Sequence, residues 1–306
     1  MQSIPLLEKG DRVALIATAR KVTPDEVETA VGLLESWGLK VEVPEGLFAA
    51  EGQLAGSDEH RAALVQRLLD DEMVKALFCS RGGYGTVRII DRLSFDRFRR
   101  HPKWIVGYSD ATVLHSHVAR RVGLPTLHAT MPINITSDTL TSPAVESLRQ
   151  WLFEGRLRYQ FETPALPHAV GNRSGTATAP IVGGNLSILY SLLGSASDLD
   201  TSGKILLLED LDEYLYHVDR MMMALRRAGK LEGLKGLLVG ALSDMHDNSV
   251  PFGRDAEAIV RDAVAAYDYP VAFYAPFGHI GGQNLAIPLG TTATIDIHEY
   301  QATITI

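Results

Sequence analysis

The sequence predicts an α/β protein that is built of two domains. Short apolar segments rich in β-branched residues alternate with amphipathic stretches, as in βαβ units with a parallel sheet. The alternation is interrupted between about residues 154 and 180, where proline and glycine recur and no periodicity persists. We therefore predict an N-terminal domain over residues 1–155, a linker over 156–180 and a C-terminal domain over 181–306.

The N-terminal domain is predicted to contain parallel strands joined by helices. The first strand covers residues 12–18, and Thr23-Pro-Asp-Glu26 after it combines an N-cap, a proline at the first helical position and a capping-box glutamate. Further strands are expected at 41–43, 74–79 and 104–107, with helices after the first, second and fourth.

The C-terminal domain is predicted to mix parallel and antiparallel strands. Buried strands are expected at residues 204–208, 236–240 and 271–274. Residues 291–306 alternate between apolar and polar side chains, which is typical of a half-exposed antiparallel ribbon.

Composition limits the class of protein. With 306 residues and 46% hydrophobic side chains, the chain can bury a core without disulfides or metals, and its single cysteine, Cys79, cannot form an internal disulfide. A net charge of -8 disfavours nucleic-acid binding. No apolar run approaches the roughly 20 residues of a membrane-spanning helix, and the first residues do not form a signal peptide. These features favour a soluble, cytoplasmic protein without a membrane partner.

A serine stands at the end of the fourth predicted strand. In Trp104-Ile-Val-Gly-Tyr-Ser-Asp-Ala-Thr112, the strand runs directly into Ser109 and a helix follows. This junction places a hydroxyl at the carboxyl edge of a parallel sheet, where open α/β sheets bind ligands, and the helix N-terminus favours an oxyanion there. The pattern is that of a nucleophile elbow that lacks the second glycine. Alternatively, Ser109 or Asp110 only caps the helix.

The second half of the chain contains a candidate base and a candidate acid for this serine. His279 lies in a glycine-rich turn, residues 276–284, directly after a predicted strand. Glu209 ends the apolar segment 205–208 and therefore also projects from the carboxyl edge of a strand. Alternatively, His279 is an ordinary loop residue, and the acidic cluster that Glu209 opens only favours the next helix N-terminus.

Two glycine-rich turns contain candidate substrate contacts. Arg81-Gly-Gly-Tyr-Gly85 matches neither phosphate-loop pattern, so we interpret it first as a source of backbone N–H groups for an oxyanion, then as a plain turn, and last as a nucleotide cradle. Arg81 either binds a substrate carboxylate or pairs with a surface carboxylate, and Tyr84 is a candidate contact from the same turn. Asn185 either contacts substrate or caps a helix. No metal-binding motif is present, and we predict no cofactor.

Five short segments occur in one order over nearly the whole chain, from about residue 9 to residue 294. They are Arg81-Gly-Gly-Tyr-Gly85, Gly107-Tyr-Ser-Asp110, Gly183-Gly-Asn-Leu186, Leu208-Glu-Asp210 and Pro276-Phe-Gly-His279. Each is unspecific alone. Together they resemble the LD-carboxypeptidase family of serine peptidases.

The resemblance implies a fold, an activity and a set of site residues. The expected fold is an N-terminal flavodoxin-like parallel-sheet domain and a C-terminal mixed α/β domain, with the active site between them and often a homodimer. The implied nucleophile is Ser109, the acid Glu209 and the base His279, with an oxyanion hole of the Gly83 and Asp110 backbone N–H groups. Family members release a terminal D-amino acid, chiefly D-alanine, from murein tetrapeptide during cell-wall recycling.

Two other functions remain as alternatives at this stage. A sibling branch resembles microcin-immunity proteins, which use the same triad on acyl-adenylate conjugates, but that branch tends to be longer than this chain. A non-catalytic two-domain ligand binder would also explain the glycine-rich loops. It would not explain a serine, a glutamate and a histidine at three strand ends.

Overall fold

Two β-sheets with flanking helices organise the chain, which is described by a computed structural model over residues 4–163 and 171–306. Pro164 and Pro167 of the predicted linker lie outside the described residues. The strands are β1 (Arg12–Ile16), β2 (Lys40–Glu42), β3 (Val74–Cys79), β4 (Trp104–Gly107), β5 (Thr126–His128), β6 (Arg158–Glu162), β7 (Gly175–Asn185), β8 (Ile205–Leu211), β9 (Gly236–Ser243), β10 (Val271–Ala272), β11 (Ile287–Leu289), β12 (Thr292–His298) and β13 (Gln301–Thr305).

The helices are mostly short and connect consecutive strands. They are α1 (Pro24–Ser36), α2 (Asp58–Asp70), α3 (Thr86–Ile89), α4 (Asp96–Arg100), α5 (Thr112–His117), α6 (Pro143–Glu154), α7 (Leu186–Ser191), α8 (Leu215–Arg227) and α9 (Ala256–Ala263). A 3₁₀ turn, Ser109–Ala111, precedes α5, and a π-helical turn, Val118–Val122, follows it. The capping box predicted at the start of α1 is present, with Thr23 as N-cap and Glu26 at the third helical position.

The first sheet has the predicted parallel arrangement. Its order is β11-β5-β4-β3-β1-β2, and the part β2-β1-β3-β4-β5 is the strand order of flavodoxin-like doubly wound folds. The edge strand β11 is antiparallel to β5 and comes from the C-terminal half of the chain. The first sheet therefore contains residues from both halves of the sequence.

The second sheet is mixed, as predicted for the C-terminal half. Its order is β10-β9-β8-β7-β12-β13-β6, with parallel pairing from β10 to β7 and antiparallel pairing from β7 to β6. The antiparallel ribbon expected over 291–306 is the β12–β13 pair. The predicted linker also contains sheet, since β6 and the first residues of β7 lie within 156–180. β6 is an edge strand of five residues that buries only Tyr159, and its Arg-Tyr-Gln-Phe-Glu alternation is too short to stand out beside a segment rich in proline and glycine. The division into 1–155 and 181–306 stays a prediction.

One apolar core is shared between the two sheets. It includes Phe78 of β3, Trp151 of α6, Leu207 of β8 and Ile295 of β12, all buried. A shared apolar core holds two layers more rigidly than a polar domain interface would. The C-terminal parts of β4 and β8 therefore have a fixed relation to each other. Ser109 follows β4, and Glu209 lies in the C-terminal half of β8.

Candidate active site

Ser109 occupies a strained position at the end of β4. Its φ is +62°, a conformation in which non-glycine residues are uncommon and which is typical of strand-to-helix nucleophile turns. The glycine-rich loop packs directly against the hydroxyl, because a Cβ added to Gly82 would lie 2.9 Å from Ser109 Oγ. The hydroxyl is half-buried, and the backbone of a neighbouring strand end lies against it.

His279 and Glu209 form a hydrogen-bonded pair. His279 Nδ1 lies 2.7 Å from Glu209 Oε2, and the glutamate side chain is 0% exposed while that of the histidine is 15% exposed. Glu209 lies inside β8 and not after it, at a shift in the β8–β9 register between Leu208 and Asp210. Such irregularities re-aim side chains. Here the consecutive residues Glu209 and Asp210 are both buried.

The loop that carries His279 is tied to the end of β9. Ser243 Oγ donates a hydrogen bond of 3.0 Å to the backbone carbonyl of His279, and Ala241 N donates one of 2.9 Å to that of Phe277. Inside the loop, Gly278 N donates to Asn284 Oδ1 at 2.8 Å. These contacts hold the imidazole beside the carboxylate of β8.

Two opposing effects act on the pKa of His279. Burial lowers it, whereas the hydrogen bond to Glu209 and the negative charges of Glu209 and Asp210 raise it, and the net shift is upward. The carboxylate therefore stabilises the imidazolium that forms when His279 takes a proton. This is the property that a general base with an orienting acid requires.

Ser109 and His279 line the same cavity, whose volume is about 490 Å³. The ring of His279 also contacts that of Tyr108, with a centroid distance of 4.8 Å. Within residues 4–163 and 171–306, no hydrogen bond joins Ser109 Oγ to the imidazole. In structures without substrate such bonds are often long, and they tighten in the complex.

The side chain of Asp110 connects the serine turn to the glycine-rich loop. Its Oδ2 accepts hydrogen bonds from Thr86 N at 2.9 Å and from Thr86 Oγ1 at 2.6 Å. Burial raises the pKa of Asp110, and the bonds from Thr86 partly offset this. Beside Thr86, the buried guanidinium of Arg61 donates to the carbonyls of Gly85, at 2.9 Å, and Thr18. Buried polar groups on both sides thus fix the backbone segments that carry the Gly83 and Asp110 N–H groups.

The three predicted substrate contacts are placed differently. Arg81 lines the cavity and also pairs with Glu26, at an N–O distance of 3.3 Å. Tyr84 is 48% exposed, and its side chain lies beside Arg88 and not along the cavity. Asn185 is buried as the N-cap of α7, where its Oδ1 accepts from Ile188 N at 3.1 Å.

Asn185 also holds Asp210. Its Nδ2 donates to Asp210 Oδ1 at 2.9 Å, and Ser187 N donates to Asp210 Oδ2 at 2.8 Å. Burial, together with the charge of Glu209, raises the pKa of Asp210 to about 7, although these hydrogen bonds act in the opposite direction. The structure therefore brings Asn185 to the carboxylates behind His279 and not to the cavity.

Sequence reasoning missed three charged residues of the cavity wall, Arg20, Asp212 and Glu213. Each acidic residue has a histidine partner outside the cavity: Asp212 Oδ1 lies 2.5 Å from His246 Nε2, and Glu213 Oε2 lies 2.5 Å from His217 Nδ1. The acidic cluster after Glu209 was a usable signal for the two carboxylates. An exposed arginine after a buried strand has no such signal, because most exposed arginines are solvated surface residues.

The described residues show neither a metal-ligand cluster nor a membrane-spanning helix. They contain no group of three or more His, Cys, Asp or Glu side chains that could hold a metal ion. None of their helices has the length and the apolar character needed to cross a membrane.

A serine at a strained strand–helix turn that faces a buried imidazole–carboxylate pair is typical of serine-type hydrolases. Sequence models of the LD-carboxypeptidase N-terminal and C-terminal domains match residues 13–129 and 178–295. The chain belongs to the LD-carboxypeptidase family.

Individual relatives cover nearly the whole chain. A probable murein peptide carboxypeptidase of Bacillus subtilis is 37% identical over 303 residues, which are 97% of this chain and 92% of that protein. The crystal structure of muramoyltetrapeptide carboxypeptidase from Oxalobacter formigenes has a TM-score of 0.86 at 25% identity and covers 96% of this chain and 98% of that one. The microcin C7 self-immunity protein in complex with aspartyl sulfamoyl adenosine has a TM-score of 0.86 at 19% identity, over 100% and 99% of the two chains. That last similarity shows the fold alone.

Proposed function

We propose that this protein is a serine LD-carboxypeptidase that hydrolyses the L,D peptide bond before the terminal D-alanine of murein tetrapeptide. The observation that carries the proposal is the cavity that Ser109 at φ +62° shares with His279, whose Nδ1 lies 2.7 Å from buried Glu209. The names of the relatives from Bacillus subtilis and Oxalobacter formigenes support the substrate class.

In the proposed mechanism Ser109, His279 and Glu209 act as a triad. His279 Nε2 accepts the proton of Ser109 Oγ while the oxygen attacks the carbonyl carbon of the scissile bond, and Glu209 stabilises the imidazolium at Nδ1. The imidazolium then protonates the nitrogen of the departing D-amino acid. A water molecule, deprotonated by the same imidazole, hydrolyses the acyl-enzyme.

The negative charge on the tetrahedral intermediate needs donors that are already in position. We assign this role to the backbone N–H groups of Gly83 and Asp110, which flank the hydroxyl on the loop and on the serine turn. The bonds from Thr86 to the Asp110 carboxylate support the assignment, because they fix the distance between the two segments. Donors held this way need no reorganisation during the reaction.

The direct test is release of D-alanine from purified murein tetrapeptide, with Ser109→Ala as the control. We expect release by the wild type and a loss of turnover of about 10⁶-fold in the variant, as for other serine triads. Release that continues in Ser109→Ala would refute the assignment of the nucleophile. Cleavage of a processed microcin analogue without cleavage of tetrapeptide would move the protein to the immunity branch.

A serine-directed fluorophosphonate probe separates an enzyme from a non-catalytic binder. We expect covalent labelling of the wild type and none of Ser109→Ala, since the probe needs an activated hydroxyl. Labelling of both proteins to the same extent would place the reactive group elsewhere.

We also propose that the enzyme acts in the cytoplasm, as expected from the sequence, and that it forms a homodimer, as the family resemblance implies. Fractionation of cells and light scattering of the purified protein test these two points. A monomeric mass at assay concentration would refute the dimer.

A further inference from the structure

Arg20 differs from every other charged residue of the cavity wall. Within residues 4–163 and 171–306, its guanidinium has no ion-pair or hydrogen-bond partner. The other basic side chains there have partners, Arg81 in Glu26 and His279 in Glu209. The wall's two carboxylates are paired with histidines, as described above. An uncompensated cation in a site of otherwise paired charges is available to an anionic ligand.

The side chain of Arg20 lies across the glycine-rich loop. A Cβ added to Gly83 would lie 2.2 Å from Arg20 Cδ and 2.5 Å from its Cγ, so the arginine stem occupies the space that a side chain at Gly83 would need. The backbone is also attached there, because Arg20 N donates to the Gly82 carbonyl at 3.4 Å. Arg20 is thus held against the loop, although the residue as a whole is exposed.

Adjacent glycines of the same loop contact Ser109 and Arg20. Gly82 packs against Ser109 Oγ and Gly83 packs against Arg20, and consecutive Cα atoms are roughly 3.8 Å apart. In a substrate whose scissile carbonyl is at Ser109, the carboxyl carbon of the last residue is only a few bonds away, roughly 3 to 4 Å. Arg20, Ser109 and His279 line one cavity, so the terminal carboxylate of a substrate bound at Ser109 lies on the side of the cavity wall to which Gly83 and Arg20 belong.

We propose that Arg20 binds the free carboxylate of the departing D-amino acid and so makes the enzyme a carboxypeptidase. The inference rests on the proposed function. It assigns the carboxylate to Arg20 and not to Arg81, whose guanidinium is already shared with Glu26. A planar guanidinium can bind a carboxylate through two parallel hydrogen bonds, which a lysine cannot reproduce.

The test compares murein tetrapeptide with the same peptide carrying a terminal carboxamide, in wild type and Arg20→Gln. We expect the wild type to prefer the free acid by about 10- to 100-fold in kcat/KM, the range for a hydrogen-bonded charge. In Arg20→Gln the preference should fall to about unity, through a raised KM for the acid at nearly unchanged kcat. Arg20→Lys should keep an intermediate preference.

Lys21→Gln is the matched control, because it removes one positive charge from the neighbouring exposed residue, which does not line the cavity. It should keep the preference for the free acid. A preference that persists in Arg20→Gln, or that disappears in Arg81→Gln instead, would overturn the assignment of Arg20. A wild type that releases neither D-alanine nor its amide would overturn the proposed function itself, so the two failures are distinguishable.

Discussion

The substitution Gly278→Ala should break the hydrogen bond between the buried Glu209 carboxylate and the His279 imidazole while both side chains remain present. Gly278 has a φ of +103°, and a Cβ built on it would lie 2.6 Å from Glu209 Oε2 and 2.7 Å from Glu209 Cβ. Real Cβ atoms do not approach other atoms so closely, and Glu209 is fully buried in a close-packed interior. Either the carboxylate or the loop that carries His279 must shift, and both shifts break the 2.7 Å bond.

The expected effects on activity and on stability differ in size. Loss of the orienting acid in a serine triad costs about 10⁴ in turnover, so we expect a decrease of about 10³- to 10⁴-fold in kcat. A non-glycine residue at positive φ costs about 1 to 3 kcal/mol of the free energy of unfolding, and overpacking against Glu209 costs about as much again, which together lower Tm by less than about 10 °C in a chain of this size. The Gly278→Ala protein should therefore be folded and nearly inactive.

Gly281→Ala provides the control in the same loop. Gly281 also has a positive φ, +58°, but a Cβ there would have no neighbour within 4 Å. This variant should lose stability through backbone strain and keep most of its turnover. The assays are D-alanine release and thermal unfolding of both proteins. Wild-type turnover in Gly278→Ala would refute the role of Glu209, and equal inactivation of both variants would attribute the effect to the loop backbone.

Three further predictions follow from the site. Ser109→Ala should abolish fluorophosphonate labelling and leave thermal unfolding nearly unchanged, whereas a large drop in Tm would give the serine a structural role. Burial lowers the pKa of His279 but Glu209 raises it more, so kcat/KM should rise with pH through an apparent pKa above the usual value of about 6.5. In Glu209→Gln this rise in kcat/KM should occur at lower pH. A rise at the same pH as in the wild type would contradict the assignment of Glu209 as the partner of His279. Asp110→Ala removes the acceptor for Thr86 N and Oγ1, so kcat should fall about 10²- to 10³-fold and the free energy of unfolding by about 1 to 3 kcal/mol. Asp110→Asn retains an acceptor, so its losses of turnover and of the free energy of unfolding, measured in denaturant melts, should be smaller than those of Asp110→Ala. Equal losses in the two variants would show that the charge of Asp110 matters more than its hydrogen bonds from Thr86.

Sequence patterns predicted β1 to β4 of the first sheet within two residues at each end, but they missed the buried strand β5 and the edge strands β11 and β6. β3 and β4 have the predicted bounds, because both are short apolar runs covered on two faces. The strand expected at 271–274 ends at Ala272, since Tyr274 has a φ of +58° and leaves the extended conformation. The edge strand β6 pairs with β13, which lies far along the chain, and the local sequence of β6 does not indicate this partner.

The candidate site shows the same division between local and long-range information. The end of β4 made Ser109 a candidate, but the φ of +62° is a property of the folded turn. Glu209 and His279 were already candidates by their predicted positions at strand ends, and the family resemblance then implied their roles as acid and base. Their hydrogen bond joins residues separated by 70 positions.

The sequence by itself determined the α/β class, the strand ends that carry polar side chains and, through five ordered segments, the family. These are consequences of local periodicity and of residue types at fixed spacing. The tertiary structure decided which charges are compensated. Arg81 is paired with Glu26, Asn185 is a helix cap, and Arg20 lines the cavity with no charge partner among the described residues. Pairing depends on distances between segments far apart in the chain, and those distances exist only when the two sheets have packed around their common core.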